Sequence, residues 1–368
     1  MGDLIKVYIE PTSRCNLNCE MCFRNSWLDE QFADMENAVF EAAMCTLPPS
    51  VLTVFFGGMG EPLFHKDIVS MVRRAAGLGK NVEMVTNATL LTGELSGQLL
   101  EAGLSRLWVS LDSFEAGNYE EIRKNSDFGL IQSNIRAFNK ERESAKRSVR
   151  LGVNFVVMKD NIRQLRAIPS FTTRFRVDEV NVSNMVPSNA VSESQILYDR
   201  VLDWGLGIPA PRNTEVRLPM MNWRQEGVME SVRDLLASST SAVSIAGQPI
   251  TRKTEYCRFI AEGNAFVRHD GNISPCMALL HNSTTYWNGR ERIVRHHSFG
   301  NVLEQGLHRI WSSSEYSRFR DRVRRFEFSP CMRCSGCELS ENNREDCFGN
   351  ESPTCGACLW AEGVVSCP

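Results

Sequence analysis

The first half of the chain alternates short apolar runs with longer segments of helical periodicity, and this alternation constrains the fold most strongly. The apolar runs predict strands at Lys6–Glu10, Leu52–Phe56, Val82–Thr86, Leu107–Asp112, Leu151–Met158 and Glu179–Asn184. The intervening segments predict helices at Met35–Cys45, Asp67–Leu78, Gly93–Ala102, Tyr119–Arg142 and Ile162–Phe175. Near-continuous apolar strands joined by crossover helices are typical of a parallel sheet that is buried on both faces. We therefore predict an α/β fold in which six units form a partial barrel and functional residues gather at the carboxyl edge of the sheet.

Charge and hydropathy exclude two classes of partner. The 41 Lys and Arg residues against 44 Asp and Glu residues give a net charge of −3, which lacks the polybasic character of a nucleic-acid or anionic-membrane binder. The first residues carry no export signal. No run of about 18 apolar residues is present, so we predict no membrane span. We expect a cytoplasmic protein that binds neither nucleic acid nor membrane.

The length of 368 residues and a change of pattern along the chain predict more than one unit. Residues 1–190 contain the βα series, and residues 191–256 show a weak, Pro- and Ser-containing pattern that is typical of a bridging segment. Residues 257–368 form a cysteine-rich C-terminal unit. In this unit we predict a hairpin that turns at Asp270–Gly271 and a helix around Val302–Trp311.

The 13 cysteines are unevenly placed, and three of them follow the first predicted strand directly. Cys15, Cys19 and Cys22 form a C-x3-C-x2-C loop. The odd cysteine count, the long chain and the missing export signal oppose a disulfide framework. Three thiolates can hold a 4Fe-4S cluster and leave one iron open for another ligand. A zinc site would want a fourth Cys or His nearby, and a redox pair would not need the third thiol, so the spacing favours the cluster over both alternatives.

This loop, in this position, resembles that of the radical SAM superfamily, whose members carry it after strand one of a partial (β/α)6 TIM-like barrel. The resemblance extends over residues 1–190, where several further motifs match in order. It implies that S-adenosylmethionine contacts a glycine-rich motif after strand two, a TN pair after strand three and polar residues on strands four and five. The implied residues are Gly57, Gly58, Gly60, Glu61, Thr86, Asn87, Ser110, Asp112, Arg123 and Asn154. Two departures from the family pattern are Met21, where an aromatic residue is common, and Ala88, where glycine is frequent.

The chemistry of these residues suits the cofactor. Glycines permit close backbone approach, and the Glu61 carboxylate suits an ammonium group. Ser110 and Asp112 can hydrogen-bond the hydroxyls of a ribose. By resemblance Arg123 meets the methionine carboxylate. The competing interpretations are a plain turn for the glycines and a solvated helix position for Arg123.

The C-terminal cysteines resemble the SPASM extension of radical SAM maturases. Cys257 and Cys276 frame a C-x13-G-x4-C spacing, and a block of seven cysteines follows at Cys331, Cys334, Cys337, Cys347, Cys355, Cys358 and Cys367. Two auxiliary 4Fe-4S clusters need eight of these nine ligands, so we predict two auxiliary clusters and one spare cysteine. The block departs from the usual SPASM spacing, which leaves the assignment of cysteines to clusters open, and a zinc-binding tail is the alternative. Cys45, which lies on a predicted helix, is expected to be a buried apolar thiol.

The resemblance implies that one electron from a reductant such as ferredoxin or flavodoxin cleaves S-adenosylmethionine to methionine and a 5′-deoxyadenosyl radical, which takes a hydrogen atom from substrate. The basic run Arg318–Arg325 fits either a docking patch for that donor or a solvated helix face. Four residues beside the triad are candidates to face the substrate or to pack the loop: Phe23, Arg24, Asn25 and Trp27.

The stretches CNLNCEMCFRNSW and VFFGGMGEPLFH, with the cysteine tail, look most like the maturases associated with tungsten-containing aldehyde ferredoxin oxidoreductases. This resemblance implies a tungstopterin cofactor, or the oxidoreductase that carries it, as substrate. Two rival functions stay open. One is a ribosomal-peptide maturase that installs a thioether or carbon-carbon crosslink, and the other is a non-catalytic iron-sulfur electron-transfer module.

Overall fold

The molecule is built around a sheet of eight strands, six of them from the first half of the chain. The computed structural model describes residues 2–28, 31–145, 148–197, 215–218, 242–245, 248–249, 257–287, 289–333, 337–361 and 364–365. In this part of the chain no helix has the length and apolarity that a membrane span requires.

Six parallel strands follow one another in chain order. Strands β1 to β6 span Lys6–Ile9, Thr53–Phe56, Asn81–Thr86, Arg106–Ser110, Arg150–Val157 and Glu179–Asn184. Helices α1 to α7 span Asn37–Cys45, Ile68–Gly77, Gly93–Ala102, Ala116–Ile122, Phe128–Ser144, Ile168–Arg174 and Ala190–Glu193. The six predicted strands are confirmed to within two residues at each end. For the largely buried strands β1, β2 and β4 this agreement follows from their apolar runs.

One helix that was predicted as continuous is interrupted in the structure. The segment Tyr119–Arg142 forms two helices, α4 and α5, separated by a turn in which Asn125 has a φ of 70°. The Asp127 side chain begins α5 by accepting a hydrogen bond from the Leu130 N–H at 2.9 Å. Leu130, in the first turn of α5, is exposed. The predicted helix Ile162–Phe175 likewise divides, into a 3-10 helix at Ile162–Ala167 followed by α6.

The C-terminal unit extends the same sheet. After α8 (Arg258–Ala261), strand β10 (Asn264–Val267) pairs in parallel with β1, and β11 (Ile273–Ser274) pairs antiparallel with β10. The predicted hairpin is therefore confirmed, and its first strand becomes the neighbour of the first strand of the chain. The full order is β11-β10-β1-β2-β3-β4-β5-β6, an open sheet in the described residues rather than a closed barrel.

The remaining elements are short. Strands β7 (Glu215–Leu218), β8 (Ala242–Ile245) and β9 (Gln248–Pro249) form a separate sheet, and most of the bridging segment around them lies outside the described residues. A hairpin of β12 (Ser283–Trp287) and β13 (Arg290–Val294) precedes the last helices. Helices α9, α10 and α11 span Val302–Gln305, Leu307–Ser312 and Ser314–Arg325, so that the helix predicted around Val302–Trp311 is two.

The concave interior of the sheet is filled in layers. At the amino end of the strands, Glu83 lies 3.1 Å from the Lys6 ammonium and 2.9 Å from the Arg106 guanidinium. The next layer is aromatic and contains Tyr8, Phe55, Trp108 and Phe266. Because charged pairs and rings occupy these two layers, the space for a ligand lies at the carboxyl edge.

Gly152 on β5 makes room for the aromatic layer. A Cβ atom at this position would lie 2.3 Å from Cε3 of Trp108. We expect Gly152→Ala to lower the free energy of unfolding by about 1–3 kcal/mol through overpacking, measured by denaturant titration of anaerobic protein. Gly77→Ala at the end of α2 is the matched control, because its Cβ would meet nothing within 4 Å. Equal effects of the two substitutions would contradict the packing argument.

Candidate active site at the carboxyl edge of the sheet

The cysteine triad lies in the loop that follows β1. Cys19 is buried, and Cys15 and Cys22 are half-buried. The Cys22 N–H donates to the Cys19 carbonyl at 3.1 Å, and the Leu17 N–H lies 3.4 Å from the Cys15 sulfur as donor. A 3-10 helix at Phe23–Ser26 ends the loop. The three thiols therefore share one short loop at the carboxyl edge.

The electrostatic surroundings of the triad do not favour thiol redox chemistry. Burial raises the pKa of Cys19 to about 11, although the Arg123 guanidinium opposes the rise. Burial also raises the pKa of Cys15. Reactive thiols have depressed pKa values instead. A cation at the sulfurs would reverse these shifts and hold the thiolate forms, so the residues fit an iron-sulfur cluster.

The spacing of the sulfurs points the same way. A single zinc ion with Zn–S bonds of about 2.3 Å draws its ligand atoms close together. Among the residues that the structure describes, three His, Cys, Asp or Glu ligand atoms lie within 4.8 Å of one another only at Glu10, His269 and His281. The three triad sulfurs are not such a group, so they do not form the close ligand set of a single zinc ion.

Side chains just after the triad hold its loop. The Arg24 Nη2 donates to the Leu17 carbonyl at 3.0 Å, and the Asn25 Nδ2 donates to the Cys19 carbonyl at 3.0 Å. Phe23 is half-buried, and the Trp27 ring stacks on a histidine of the C-terminal unit. Arg24 and Asn25 thus position the cluster loop, and contact of any of these four residues with substrate stays a prediction.

The glycine motif Gly57–Gly60 packs directly on the triad loop. A Cβ atom at Gly60 would lie 2.1 Å from the Thr12 carbonyl oxygen and 2.6 Å from that of Arg14. The Glu61 N–H donates to the same Arg14 carbonyl at 2.8 Å. Only glycine fits at position 60, because any side chain would displace the backbone that leads into the cysteines.

Glu61 joins this motif to the end of β3. Its buried carboxylate accepts hydrogen bonds from the Thr86 hydroxyl at 2.7 Å, the Asn87 N–H at 2.7 Å and the Leu63 N–H at 3.1 Å. Burial raises the pKa of Glu61, and the three donors oppose the rise. Ala88, where the family often has glycine, has a left-handed φ of 61°. Contact between Glu61 and the amino group of a cofactor stays a prediction.

Asn87, which follows β3, and Arg123, at the end of α4, place N–H groups near the triad sulfurs. The Asn87 Nδ2 lies 3.7 Å from the Cys15 sulfur, and the Arg123 Nη1 lies 3.9 Å from the Cys19 sulfur. Hydrogen bonds to sulfur are among the features that set the potential of an iron-sulfur cluster. Asn87 and Arg123 therefore lie beside the cysteine triad, and the cofactor contacts that the resemblance implies for them stay predictions.

Asp112 and Arg123 form a buried ion pair. The guanidinium Nε donates to Asp112 Oδ2 at 2.7 Å, and the Val156 N–H donates to Oδ1 at 2.9 Å. Burial raises the pKa of Asp112, and Arg123 opposes this rise. The alternative of a solvated helix arginine is wrong, because Arg123 is buried. The ribose contact expected of Asp112 stays a prediction.

A polar row continues along the carboxyl edge. Ser110 on β4 is in register with Asn154 on β5, which is in register with Asn181 on β6. The Asn181 Nδ2 donates to the Asn154 Oδ1 at 3.2 Å. All three residues are half-buried, so the row offers hydroxyl and amide groups to a polar ligand.

Four C-terminal cysteines line one cavity: Cys257, Cys276, Cys355 and Cys358. Burial raises the pKa of Cys276 well above its usual value, and the other three thiols raise it further. Burial also raises the pKa of Cys355 well above its usual value. Four thiols in one enclosure fit the four-cysteine ligand set of a 4Fe-4S cluster.

The other described cysteines are not part of that cavity lining. Cys331 is buried, Cys337 is half-buried, and Cys347 is exposed. Cys334 and Cys367 lie outside the described residues. The expectation of a buried Cys45 is wrong, because this thiol is exposed and lies 3.5 Å from the Arg74 guanidinium.

The basic run Arg318–Arg325 on α11 does not form one uniform face. Arg320 is fully buried, with its guanidinium 3.8 Å from the ring centre of Trp311. Arg318, Arg324 and Arg325 are exposed. A docking role toward an electron donor rests on these three exposed side chains and stays a prediction.

Sequence reasoning missed Glu10, His269 and His281. These residues converge at the carboxyl edge although 259 and 271 positions separate the histidines from the glutamate. Their spacing along the chain matches no local motif, so no signal in the sequence identifies them.

Comparison with known proteins agrees with this arrangement. Residues 9–166 match the Radical SAM superfamily, and residues 257–338 match the SPASM iron-sulfur cluster-binding domain. A protein of Pyrococcus furiosus named "Tungsten-containing aldehyde ferredoxin oxidoreductase cofactor-modifying protein" is 32% identical over 98% of this chain and 96% of its own length.

Two further relatives are more distant. The PqqA peptide cyclase of Bradyrhizobium diazoefficiens is 28% identical over 50% of this chain and 47% of its own length. The structure of Streptococcus suis SuiB bound to S-adenosylmethionine superposes with a TM-score of 0.58 at 18% identity, covering 92% of this chain and 72% of that one, which shows a shared fold. The chain is thus a radical SAM enzyme that belongs to the radical SAM superfamily and carries a C-terminal SPASM domain.

Proposed function

We propose that this enzyme cleaves S-adenosylmethionine reductively and uses the product to modify the cofactor of a tungsten-containing oxidoreductase, acting as its maturase. The observation that carries the substrate class is the similarity of 32% over 98% of the chain to the cofactor-modifying protein of Pyrococcus furiosus. The similarity includes both the sheet with its triad and the cysteine-rich unit, so it covers the parts that would meet substrate.

The residues at the carboxyl edge have different roles. In this proposal Cys15, Cys19 and Cys22 hold the 4Fe-4S cluster, which with bound S-adenosylmethionine supplies the 5′-deoxyadenosyl radical. The glycine motif and the polar row of Ser110 and Asn154 orient the cofactor. The filled aromatic layer beneath the edge excludes water from the site.

The C-terminal unit holds auxiliary clusters in this proposal. Its first cluster takes the four cysteines of the shared cavity. A second cluster draws four ligands from the remaining five, which are Cys331, Cys334, Cys337, Cys347 and Cys367. An external donor such as ferredoxin or flavodoxin supplies the electron.

Removing a ligand from the shared cavity tests the first auxiliary cluster. We expect Cys276→Ala and Cys355→Ala each to lose about four irons per chain and to keep the triad cluster. Anaerobic iron and sulfide analysis measures the loss. Cys45→Ala is the matched control and should lose no iron, because its thiol is exposed and is not part of the cavity lining. Unchanged iron in both cavity variants would contradict the assignment.

The substrate class is tested with two candidates. The enzyme is incubated anaerobically with dithionite, S-adenosylmethionine and either a tungsten oxidoreductase isolated without maturation or a Cys-rich precursor peptide. We expect the oxidoreductase to increase 5′-deoxyadenosine formation and to change the mass of its released pterin cofactor. Stimulation and crosslinking of the peptide alone would favour the second candidate function, which the partial similarity to a peptide cyclase supports.

A further inference from the structure

A second set of potential ligands lies at the carboxyl edge. Glu10 follows β1, His269 follows β10, and His281 precedes β12. The His281 Nε2 lies 2.9 and 3.0 Å from the two carboxylate oxygens of Glu10. The His269 Nδ1 lies 3.0 Å from Glu10 Oε2. Three distant segments thus bring two imidazoles to one carboxylate.

The charge of Glu10 needs compensation. Its side chain is fully buried, with 0% exposed. In the described part of the chain its partners are the two imidazoles and, as weaker donors, the N–H groups of Met59 at 3.3 Å and His269 at 3.5 Å. None of these partners is a Lys or Arg. Buried charges in proteins are paired with opposite charge or bind metal ions. The charge that balances Glu10 therefore comes either from a protonated imidazole or from a cation held by neutral imidazoles.

The distances match a coordination sphere. Adjacent ligands at right angles, each about 2.1 Å from a metal ion, are separated by about 3.0 Å. The separations between imidazole nitrogen and carboxylate oxygen are 2.9 to 3.0 Å. One donor atom from each of the three residues lies within 4.8 Å of the other two. A single ion can therefore contact all three.

We propose that Glu10, His269 and His281 form a site for one divalent transition-metal ion, distinct from the iron-sulfur clusters. Two imidazoles and one carboxylate are the donor set of non-haem Fe²⁺ sites and of catalytic Zn²⁺ sites, and both kinds keep positions open for water or substrate. Thiolates are absent from this set, which separates it chemically from the cysteine sites.

The site lies between the two parts of the molecule that build the active site. The Met59 N–H belongs to the glycine motif, and the Trp27 ring stacks on His281 with centroids 4.1 Å apart. The His269 side chain is 10% exposed, so the site is not sealed on every side. The ion would fasten the C-terminal unit to β1 beside the glycine motif.

The test uses full-length protein with its clusters loaded and oxidised, so that the cysteines are occupied and the 4Fe-4S clusters give no electron paramagnetic resonance signal. Mn²⁺ is the first probe, because it accepts carboxylate and imidazole ligands and is a poor thiolate binder. Loss of the free Mn²⁺ signal counts bound ions. Zn²⁺ retained after dialysis, measured by elemental mass spectrometry, is the second probe.

We expect wild type to bind one ion per chain in at least one of the two assays. Glu10→Gln and His269→Ala should weaken that binding at least tenfold, and exposed His308→Ala should leave it unchanged. Circular dichroism and the iron content of each variant show that the fold and clusters persist. If wild type retains neither Mn²⁺ nor Zn²⁺, or if both variants bind as wild type does, the proposal is wrong. Because these readouts do not involve S-adenosylmethionine, they stand apart from the proposed maturase activity.

Discussion

Replacement of Cys15, Cys19 or Cys22 with alanine is expected to reduce 5′-deoxyadenosine formation to the level of an enzyme-free control. Each thiol is a ligand of the same proposed cluster, and the loop offers no replacement, since the next cysteine along the chain is Cys45 on the far end of α1. Loss of one ligand therefore removes the redox centre rather than slowing one step of the reaction.

The measurement combines product analysis with iron counting. Anaerobic wild-type protein should hold about twelve irons, and each triad variant about eight, since the auxiliary clusters remain. Dithionite supplies the electron, and chromatography quantifies 5′-deoxyadenosine. Cys45→Ala should match wild type in both assays. Undiminished cleavage in the triple alanine variant would show that the triad is not the site of the reaction.

Removal of Arg123 is expected to produce the largest loss of stability among single substitutions at the active site. The side chains of Asp112 and Arg123 are only 0% and 9% exposed and are joined at 2.7 Å. Arg123→Met leaves the Asp112 carboxylate buried without its cation, which costs about 3–5 kcal/mol. The hydrogen bond to the Cys19 sulfur is lost as well. We expect weaker retention of the triad cluster in addition to the lower free energy of unfolding.

An exposed pair of the same chemistry is the matched control. Arg74 and Glu41 lie 3.0 Å apart with side chains 37% and 38% exposed, so Arg74→Met should lower the free energy of unfolding far less than Arg123→Met does, because solvent screens an exposed pair. Denaturant titration under anaerobic conditions compares the two variants. The double variant Arg123→Met with Asp112→Asn should recover part of the lost stability, because no buried charge is left unpaired. Similar losses for Arg123→Met and Arg74→Met would refute the importance of burial.

Features that depend on residues close together in the chain were predicted from the sequence more accurately than features that depend on tertiary packing. The six strands were located within two residues because each coincides with a short run that contains Val, Ile, Leu or Phe, including β6, which is only half-buried. The break between α4 and α5 was missed because apolar periodicity continues across it, and the Asp127 cap decides the new start. The exposure of Cys45 depended on which side of α1 meets the sheet, which periodicity over one helix did not resolve.

In the active site, too, the sequence identified local features and did not identify groupings of distant residues. The C-x3-C-x2-C spacing identified the triad, because its three sulfurs are brought together within a single loop. The four cysteines of the C-terminal cavity come from segments up to 101 positions apart, between Cys257 and Cys358, so their grouping carried no local signal. The same holds for the burial of Arg123 against Asp112, which depends on how α4 returns across the sheet edge.

The sequence by itself determined the parallel α/β fold, the cysteine triad and the family, because each depends on residues that are close together along the chain. Tertiary structure alone decided that β10 pairs with β1, that four thiols share one cavity, and that two histidines meet Glu10. Contacts between distant segments are set by the packing of whole elements, and residue spacing within any one segment does not encode them.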